Sequence, residues 1–462
     1  MITISNVITI DHPSKELLSW CTKNLRLRNP DYDKKVRMHF WVGKTPEWLY
    51  LYEVHGDKLV LPYGVLRDIL PMVNTNDIQT EFATSEKVDY HCEVPLYDYQ
   101  QEAVEAVYWK QYGILQSPAG SGKTQMAIQL IAKLGRRALF LTHTKDLLTQ
   151  AKQRAELYMD PALLGTITEG KVTLGKGITF ATVQTMCNLD LAQYKDYWDV
   201  IIVDECHRVA GTPTAVSQFS KVLNSLAARH KYGLSATVHR ADGLIQATFA
   251  LLGDVIHTIP QEAVADKIMQ VGIYPVPTAI RIVRSCLNSD GTLNYTKLIG
   301  YLAESDERNL RIVECIVENR ENPSLILSDR LGHLETLMSL LPPDMKKDAV
   351  MVSGKMTTKK GKAEREQAIA DMRSGAKKYL FATYSLAKEG LDIPCLERLY
   401  MATPKKDYAV ITQSIGRIAR TSPGKADPIC YDFVDDIQFL VKAYKKRCTT
   451  YRKNGCYFVE RS

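Results

Sequence analysis

Two short stretches of the chain carry the residues best suited to phosphate chemistry. The first, GILQSPAGSGKTQMAIQLI, begins at Gly113 and places a glycine-bearing loop between an aliphatic run and an amphipathic run. Gly120 and Gly122 allow backbone N–H groups to turn toward phosphate oxygens, and a helix that starts there adds partial positive charge. In such a loop Lys123 can reach the β- and γ-phosphates, and the Thr124 hydroxyl can ligate Mg²⁺. The stretch therefore predicts a nucleoside triphosphate site.

The second stretch, WDVIIVDECHRVAG, ends an aliphatic run with two acids. Open α/β sheets bind ligands at the carboxyl ends of their strands, which is where Asp204 would lie. We expect Asp204 to hold the Mg²⁺ of the nucleotide and Glu205 to orient and polarise the attacking water. A zinc site at Cys206 and His207 would need two further ligands at suitable spacing, and none is evident. We therefore expect Cys206 to be a packing residue.

The elements that must position these residues alternate short aliphatic runs with longer amphipathic stretches. This rhythm occurs twice and predicts an α/β fold in which two tandem parallel-sheet domains carry crossover helices. The strand-like runs of the first set are GILQS, RALFLTH, ITFATVQ, DVIIVDE and HKYGLSAT, and those of the second are SLILSDR, DAVMVSG, KYLFATY, LERLYMAT and ADPICYDF.

Changes in this pattern divide the chain into five segments. Residues 1–92 alternate aromatic and aliphatic residues with turn residues, including HGD between two strand-like runs, and predict a small β-rich or mixed accessory domain. The segments that follow are a first α/β domain at 93–260, an inter-domain connection at 261–300, a second α/β domain at 301–436 and a basic tail at 437–462.

Composition narrows the class of protein without deciding its function. The chain has 462 residues and a formal net charge of +7, which suits a nucleic-acid partner but does not require one. None of the ten cysteines forms a C-x-x-C pair, and scattered thiols of this kind suit a reducing cytosol. We find no signal peptide and no apolar run long enough to span a membrane, and we expect a cytoplasmic protein of a bacterium or a phage-infected cell.

In the first half, the order of the motifs resembles that of superfamily 2 helicases of the DEAD/DEAH group. DECH resembles motif II, LYDYQQEAV the adenine-reading segment, LTHTKDLLTQ motif Ia, TFATVQT the next strand-contacting motif and LSAT motif III. The site residues that the resemblance implies here are Gln100, Gly120, Ser121, Gly122, Lys123 and Thr124 for ATP, Thr124 and Asp204 for Mg²⁺, Lys123, Asp204 and Glu205 for catalysis, His207, Ser235 and Thr237 for coupling, and Thr144 and Thr182 for DNA.

The second half continues the resemblance, which covers about residues 94–435. LILSDRLGH resembles motif IV, FATYSLAKEGLDIP motif V and QSIGRIAR motif VI. Arg417 and Arg420 lie three apart on a predicted helix and so share a face. In the family such arginines reach the γ-phosphate across a cleft between two RecA-like domains. The residues implied in this half are Gln413, Arg417 and Arg420 for catalysis, Gly390 and Asp392 for the nucleotide, and Arg330 and Thr383 for DNA.

The stretch GLSATVHRADGLIQATF resembles XPB-like and phage UvsW-type helicases. In those proteins an Arg-Glu-Asp triplet assists duplex separation, whereas this chain has Arg240-Ala241-Asp242 and lacks the central acid. A polar first turn of a helix explains the triplet equally well. The front end NPDYDKKVRMHFWVGKTPEWLYLY resembles the accessory domain of such helicases, so we expect residues 1–92 to bind DNA.

The resemblance implies an ATP-dependent DNA helicase or translocase that unwinds or branch-migrates forks, Holliday junctions or R-loops in replication, recombination or repair. It implies 3′ to 5′ movement, sequence-independent contact with single- or double-stranded DNA, and a motor that can act as a monomer or with replication and recombination partners. An RNA helicase is an alternative, although DECH and Gln413 both differ from the usual DEAD-box residues. The motor subunit of a restriction or defence complex is another.

Two basic stretches add a separate hypothesis. The tail from Gln438 onward has seven Lys and Arg against one Glu, with Tyr444, Tyr451, Tyr457 and Phe458 interleaved, and a stretch from Ser353 is also rich in lysine. A basic and aromatic tail could stack on or clamp nucleic acid. A solvated terminal helix fits the same residues, and the two interpretations stay open at this point.

Overall fold

The computed structural model describes residues 1–82, 84–118, 120–237, 244–264, 268–354, 356, 358–388, 391 and 393–460. The chain forms two compact units, Met1–Pro260 and Gln261–Ser462. Among the described residues, no helix combines the length and the apolar content that crossing a bilayer requires.

The strands of the first unit are β1 (Ile2–Ile4), β2 (Val7–Asp11), β3 (Arg26–Arg28), β4 (Trp48–Tyr50), β5 (Glu53–His55), β6 (Lys58–Pro62), β7 (Ile78–Thr80), β8 (Tyr112–Gln116), β9 (Ala138–Thr142), β10 (Leu164–Thr168), β11 (Lys171–Thr173), β12 (Ile178–Thr182), β13 (Val200–Val203), β14 (His230–Ser235) and β15 (Val255–Thr258). Its α-helices are α1 (Lys15–Asn24), α2 (Pro30–Arg37), α3 (Leu66–Ile69), α4 (Asp98–Tyr108), α5 (Lys123–Leu134), α6 (Lys145–Ala155), α7 (Val183–Cys187), α8 (Pro213–Ser225) and α9 (Ile245–Leu252).

The strands of the second unit are β16 (Gly272–Thr278), β17 (Ser324–Ser328), β18 (Ala349–Val352), β19 (Tyr379–Thr383), β20 (Arg398–Met401), β21 (Ile429–Asp435) and β22 (Tyr457–Phe458). Its α-helices are α10 (Tyr295–Glu304), α11 (Asp306–Glu318), α12 (Leu331–Leu340), α13 (Pro343–Lys346), α14 (Lys359–Ser374), α15 (Tyr384–Lys388), α16 (Tyr408–Ile418) and α17 (Gln438–Lys453).

The sheet that carries the candidate site has eight strands in the order β11-β10-β12-β9-β13-β14-β8-β15. All neighbours are parallel except β10 and β11. Every residue of β9 and β13 is buried, because helices cover both faces of a parallel sheet. The five aliphatic runs predicted as strands in this region all form strands of this sheet, which confirms the predicted α/β class.

The N-terminal residues form a mixed five-stranded sheet in the order β5-β6-β2-β1-β7. Only β1 and β7 are parallel, and the predicted HGD turn joins the antiparallel strands β5 and β6. Gly56 has φ +63° in that turn, a conformation that glycine adopts without steric cost. The prediction of a small mixed domain at the N-terminus is confirmed.

The predicted boundary at residue 92 does not separate two compact units. Residues on both sides of it share one apolar core, in which Leu59 and Tyr63 pack with Tyr112 and Ala250. The segment that leads to the boundary is itself attached, since the Ser85 N–H donates to both carboxylate oxygens of Asp199 at 3.0 and 3.1 Å. The composition of this segment resembles a linker, but its backbone is attached on both sides: the Glu81 N–H donates to the Ile4 carbonyl at 2.8 Å, and the Val88 N–H donates to the Gly135 carbonyl at 3.0 Å.

The second unit contains a seven-stranded parallel sheet in the order β18-β19-β17-β20-β21-β16-β22. The five predicted strands are β17 to β21. Strand β16 lies within 261–300, where we expected only a connection, and Pro275 and Pro277 explain the error because proline is rare inside sheets. The backbone groups of Pro275 and Pro277 face the same side of β16 as those of Ile273, which is the side of the edge strand β22. Strand β22 pairs with β16 only as far as Ile273, so the N–H groups that the prolines lack would have no partner strand there.

The predicted basic tail is an integral part of the second unit. Helix α17 buries Arg447 and Tyr451, which are 1% and 0% exposed. Both side chains bind Asp432 of β21, so they are not available to clamp nucleic acid. The tail interpretation is therefore wrong for these two residues, because the sequence does not show which charges of a helix face its own core.

Candidate nucleotide site and motor motifs

The predicted phosphate loop connects β8 to α5, in the order that the sequence indicated. Gly122 caps α5 with φ +82°, and Gly120 has φ +84°. A side chain at Gly122 would also clash with the amide of Gln100. Glycine is therefore required twice here, once for the left-handed backbone and once for space, and the resulting cradle has the form that phosphate binding needs.

The loop is braced from α4. Gln100 is 2% exposed, and its Nε2 donates to the Ser121 carbonyl at 2.7 Å while its Oε1 accepts from the Tyr97 N–H at 2.9 Å. The Tyr99 hydroxyl donates to the same Ser121 carbonyl at 3.1 Å. Sequence reasoning missed Tyr99, because only the fold brings its hydroxyl to the loop. The adenine contact expected of Gln100 stays a prediction, and the observed role of its amide is to hold the loop.

The other polar residues of the loop contact the loop itself or the neighbouring strand β14. Lys123 Nζ lies 3.4 and 3.3 Å from the carbonyls of Ser117 and Pro118. Thr124 follows it in the first turn of α5 and is partly exposed. The Ser117 N–H donates to the Ser235 carbonyl of β14 at 2.9 Å, so the loop is joined directly to the predicted motif III.

The two acids follow β13 and lie side by side. The Asp204 carboxylate accepts from the Glu205 N–H at 3.0 Å. Glu205 has φ +48°, a left-handed conformation that costs a non-glycine residue about 1–3 kcal/mol. Such a conformation persists only where the surrounding structure imposes it, and it turns the Glu205 side chain away from the strand direction.

Burial and charged neighbours shift the pKa values of the two carboxyls in opposite directions. Burial, and then the charge of Glu205, raise the pKa of Asp204 to about 7. Burial by itself would also raise the pKa of Glu205, but Lys123 and then His207 outweigh it and lower that pKa to about 2. Burial and Glu205 thus favour the neutral form of Asp204, whereas Lys123 and His207 favour the ionised form of Glu205, which is the form that can accept a proton from water.

One oxygen of Glu205 is left without a hydrogen bond. Its Oε2 is fully buried and has no hydrogen-bond partner among the described residues. His207 Nδ1 lies 3.2 Å away, but its better-aligned partner is the Ser235 hydroxyl at 3.0 Å. A buried, charged oxygen that accepts no hydrogen bond costs free energy unless a ligand or a water molecule donates one to it. The residues present therefore fit a triphosphate site with an attacking water at Glu205.

His207 joins the acids to the end of β14. The Ser235 hydroxyl donates to the Thr237 carbonyl at 2.6 Å, so toward His207 it acts as the acceptor. Nδ1 of His207 must then carry a proton, which also suits its position beside Glu205. The predicted coupling residues are thus in mutual contact, and the coupling role itself stays a prediction.

Cys206 packs in the apolar core, as expected from the sequence. A side chain on Gly233 of β14 would lie 2.8 Å from its sulfur, so the small residue in HKYGLSAT makes room for it. The Cys206 thiol is thereby turned away from His207 and toward the sheet, and burial raises its pKa well above the ordinary thiol value.

Two family models match the chain in the regions of these motifs. The model described as "Type III restriction enzyme, res subunit" matches residues 93–240, and the model described as "Helicase conserved C-terminal domain" matches residues 307–422. The chain is a superfamily 2 helicase. This family hydrolyses ATP, and the assignment of its nucleotide site to the phosphate loop and the DECH acids stays a prediction.

Similar proteins place this helicase near several branches of the family. A protein of Acanthamoeba polyphaga mimivirus, named as an ATP-dependent RNA helicase, is 27% identical over 76% of this chain and 65% of its own length. A protein of Escherichia phage T5, named as a helicase, is 26% identical over 74% and 72%. The DNA 3'-5' translocase XPB2 of Sulfurisphaera tokodaii is 25% identical over 72% and 80%.

A solved structure supports the fold alone. The S. cerevisiae Dbp5 structure bound to RNA and ADP BeF3 aligns with a TM-score of 0.57 at 18% identity, and it covers 79% of this chain and 90% of that chain. The helicase thus spans 65% of the length of the mimivirus relative and 90% of the yeast chain.

The residues expected to contact DNA differ in accessibility. Thr144 caps α6 and accepts from the Leu147 N–H at 3.3 Å, and Thr383 shares a hydrogen bond of 3.0 Å with Ser385. Arg330 is exposed, and its Nη2 donates to a backbone carbonyl at 3.0 Å. Thr182 is 6% exposed, so little of its surface is available to a nucleic acid. The roles of these four residues stay predictions.

The motif VI arginines do not share a helix face as predicted. Helix α16 ends at Ile418, so Arg417 lies in its last turn, whereas Arg420 lies beyond it and pairs as an isolated bridge with Ile268. The helix stops before TSPG, whose proline and glycine do not continue a helix. The Arg417 guanidinium donates from Nε to the Ala387 carbonyl at 2.9 Å and from Nη1 to a second carbonyl of motif V at 3.1 Å.

Three further predictions concern this motif and its surroundings. Gln413 of α16 has its Oε1 buried without a hydrogen-bond partner among the described residues. Gly390 and Asp392, expected near the nucleotide, lie outside the described residues, and so does the Arg240-Ala241-Asp242 triplet. The structure therefore adds nothing to the expectations for these five positions.

Proposed function

We propose that this helicase is an ATP-dependent DNA helicase or translocase that unwinds or branch-migrates forks, Holliday junctions and R-loops. The observation that carries its ATP chemistry is the buried Oε2 of Glu205 beside Asp204, which lies 3.2 Å from His207 Nδ1 but accepts no hydrogen bond among the described residues. The choice of DNA is supported by the name of the XPB2 relative, a DNA 3'-5' translocase. The proposal includes the 3′ to 5′ direction implied by the same resemblance.

The residues divide the work of hydrolysis among them. Mg²⁺, when bound with ATP through Thr124 and Asp204, would neutralise phosphate charge. Lys123 contributes a further positive charge at the phosphates. Glu205 holds the attacking water on its open oxygen and takes the proton. His207, between Glu205 and Ser235, passes the change of charge to the motif III segment.

Nucleic-acid contact in this proposal uses backbone-directed groups. Thr144, Thr383 and Arg330 offer hydroxyl and guanidinium groups that suit phosphates and carry no base information. Binding is therefore largely independent of sequence, and DNA shape decides which substrates are processed. Mild positive net charge favours the encounter with DNA without selecting a site.

The first experiment tests the chemistry of Glu205. Glu205→Gln is expected to retain ATP binding and to lose turnover by about 10²–10⁴-fold, since a general base contributes that much. Glu102→Gln, an exposed acid on α4, serves as the matched control. Unchanged turnover in Glu205→Gln would overturn the assignment.

The second experiment tests the substrate. ATP hydrolysis by the full chain is measured with single-stranded DNA, blunt duplex, forks and four-way junctions, and unwinding is followed on the last three. We expect stimulation by DNA and faster unwinding of the branched substrates than of blunt duplex. The DNA proposal fails if no DNA stimulates hydrolysis.

Two other functions have specific support and are separated by the same assays. The mimivirus relative is named as an RNA helicase, and stimulation by single-stranded RNA alone would favour that activity. The description of the matched restriction-enzyme model favours a motor subunit. A change in the size of the chain after addition of host extract, together with absent activity of the chain alone, would support the motor-subunit alternative.

A further inference from the structure

Two exposed aromatic side chains follow helix α2 in the N-terminal sheet region, and the nucleotide site does not use them. Trp41 is 87% exposed and Phe40 is 60% exposed. We call residues 38–44 the aromatic tip. Large apolar side chains that stand together in solvent mark an interaction surface more often than single exposed residues do.

The tip is held in place by its own backbone. The Phe40 N–H donates to the Lys35 carbonyl at 2.8 Å, and the Thr45 N–H donates to the Val42 carbonyl at 3.0 Å. The Lys35 ammonium closes the loop by donating to the Thr45 hydroxyl at 2.6 Å. The aromatic rings are therefore presented by an ordered loop, which lowers the entropic cost of binding.

The Trp41 ring packs against the backbone of its own loop. It lies over Gly43, where an added Cβ would come within 2.9 Å of the ring, and Gly43 has φ +53°. Glycine is needed there both for the backbone conformation and for the close approach of the indole. One face of the ring thus rests on the loop, and most of the rest of the side chain is open to a flat partner.

The chain segment that carries the tip is basic. Between Lys34 and Pro46 the chain has four basic residues, Lys34, Lys35, Arg37 and Lys44, and no acid. The flanking acids Asp33 and Glu47 both form ion pairs with Arg28. Charge at the tip therefore complements a polyanion, although Asp33 also lies close enough to Arg37 to interact with its charge.

We propose that the aromatic tip binds unpaired DNA, with Trp41 and Phe40 stacking on bases and Lys34, Arg37 and Lys44 contacting phosphates. Every base has a π-face, so stacking tolerates any sequence, and it contributes about 1–3 kcal/mol per base. The inference rests on the proposed DNA function and makes it more specific, because it names the part of a branched substrate that the N-terminal region holds.

The test compares Trp41→Ala with Trp109→Ala in the full chain. Trp109 is 77% exposed and directly follows α4, away from the basic loop in the sequence, so it is a matched control. Affinity is measured without nucleotide for a fluorescent fork with single-stranded arms and for a blunt duplex of the same length. We expect Trp41→Ala to weaken fork binding about 10-fold or more and Phe40→Ala to weaken it less, while duplex binding and DNA-independent ATP hydrolysis change little.

Trp41→Phe keeps an aromatic face and is expected to recover most of the fork affinity. Equal fork affinity in wild type and Trp41→Ala would overturn the inference, as would equal losses on fork and duplex. If the wild type binds neither DNA, the proposed DNA function fails first. Fork binding that is unchanged, combined with loss of binding to a protein from host extract, would reassign the tip to a protein partner and so overturn the inference too.

Discussion

Each unit carries two carboxylates on or directly after one strand of its parallel sheet, but the two pairs have different partners. In the first unit, the Asp204 carboxylate accepts from the Glu205 N–H, and Glu205 Oε2 lies 3.2 Å from His207 Nδ1 but accepts no hydrogen bond among the described residues. In the second unit, Asp432 and Asp435 of β21 are held by arginines that are themselves buried. Carboxylates beside a parallel sheet thus meet different environments in the two units.

Both oxygens of the buried Asp432 carboxylate accept hydrogen bonds from the chain. It accepts from Arg447 Nε at 2.8 Å, from Arg447 Nη2 at 2.9 Å and from the Tyr451 hydroxyl at 2.7 Å. Asp435 likewise accepts from Arg308 Nε at 2.7 Å and from the Thr278 hydroxyl at 2.6 Å. Every member of these networks is satisfied, so they tie α17 and α11 to the sheet and leave nothing for a ligand.

The contrast teaches how to separate structural acids from reactive ones in this fold. An acid whose acceptors are filled by the chain contributes to stability, whereas an acid with an unfilled acceptor and a shifted pKa is prepared for a ligand. The following predictions test this distinction with conservative substitutions at both pairs and at one buried lysine.

The largest expected effect is at Asp432. Asp432→Asn leaves the Arg447 guanidinium buried without its counter-charge, and we expect the free energy of unfolding to fall by about 3–5 kcal/mol. Chemical denaturation measures the change, and Asp436→Asn, an exposed neighbour, is the control. A loss as small as that of the control would mean that the pair contributes little to folding.

The same substitution at Asp204 is expected to have the opposite sign. Burial and Glu205 raise the pKa of Asp204 to about 7, so its ionised form is disfavoured in the folded chain. Without nucleotide at pH 8, Asp204→Asn should increase the free energy of unfolding by about 1–3 kcal/mol. Denaturation beside exposed Asp196→Asn checks this, and a destabilised Asp204→Asn would remove the distinction between the two pairs.

A smaller loss is expected at the hydroxyl that completes the Asp432 network. Tyr451→Phe removes one hydrogen bond to a carboxylate while it keeps the buried ring, and should cost about 1–2 kcal/mol. Tyr457→Phe, at a more exposed ring, is the control for the loss of a hydroxyl. If the Tyr451 hydroxyl contributes nothing to the Asp432 network, the two variants will have the same midpoint of thermal unfolding.

The smallest expected effect concerns a buried cation that has no acid among its partners in the described part of the chain. Lys231 donates to the carbonyls of Leu223 and Asn6 at 2.8 and 3.1 Å, and burial lowers its pKa to about 7. Above that pH the unfolded chain still binds a proton that the folded chain has released, so this group makes stability rise with pH. The rise should be about 1 kcal/mol from pH 7 to pH 8.

Lys231→Met removes the titrating group and should remove this rise, whereas exposed Lys87→Met should keep it. Denaturation midpoints at pH 7 and pH 8 give the difference. Lys231→Arg should lose stability at both pH values, because an arginine cannot release its proton and has no acid there. An unchanged slope in Lys231→Met would show that the lysine is already compensated by its carbonyl partners.

The motif residues and the strands that carry them were predictable from the sequence for a local reason. The loop at Lys123 and the acids at Asp204 and Glu205 follow uninterrupted buried strands, and the pattern of such strands is visible in one dimension. Strand β16 was missed because its prolines argue against a strand, and Arg420 was misplaced because the end of α16 falls two residues before it.

What the sequence by itself determined is the chemistry available: a phosphate loop, two adjacent acids and motif VI arginines, in an order set by the chain. The tertiary structure alone decided which charged side chains have their hydrogen-bonding capacity filled by the chain. Arg447 and Asp432 are fifteen positions apart and become a closed ion pair, whereas adjacent Asp204 and Glu205 keep an open oxygen. Satisfaction depends on atoms that meet only when distant segments pack, and no local pattern records those distances.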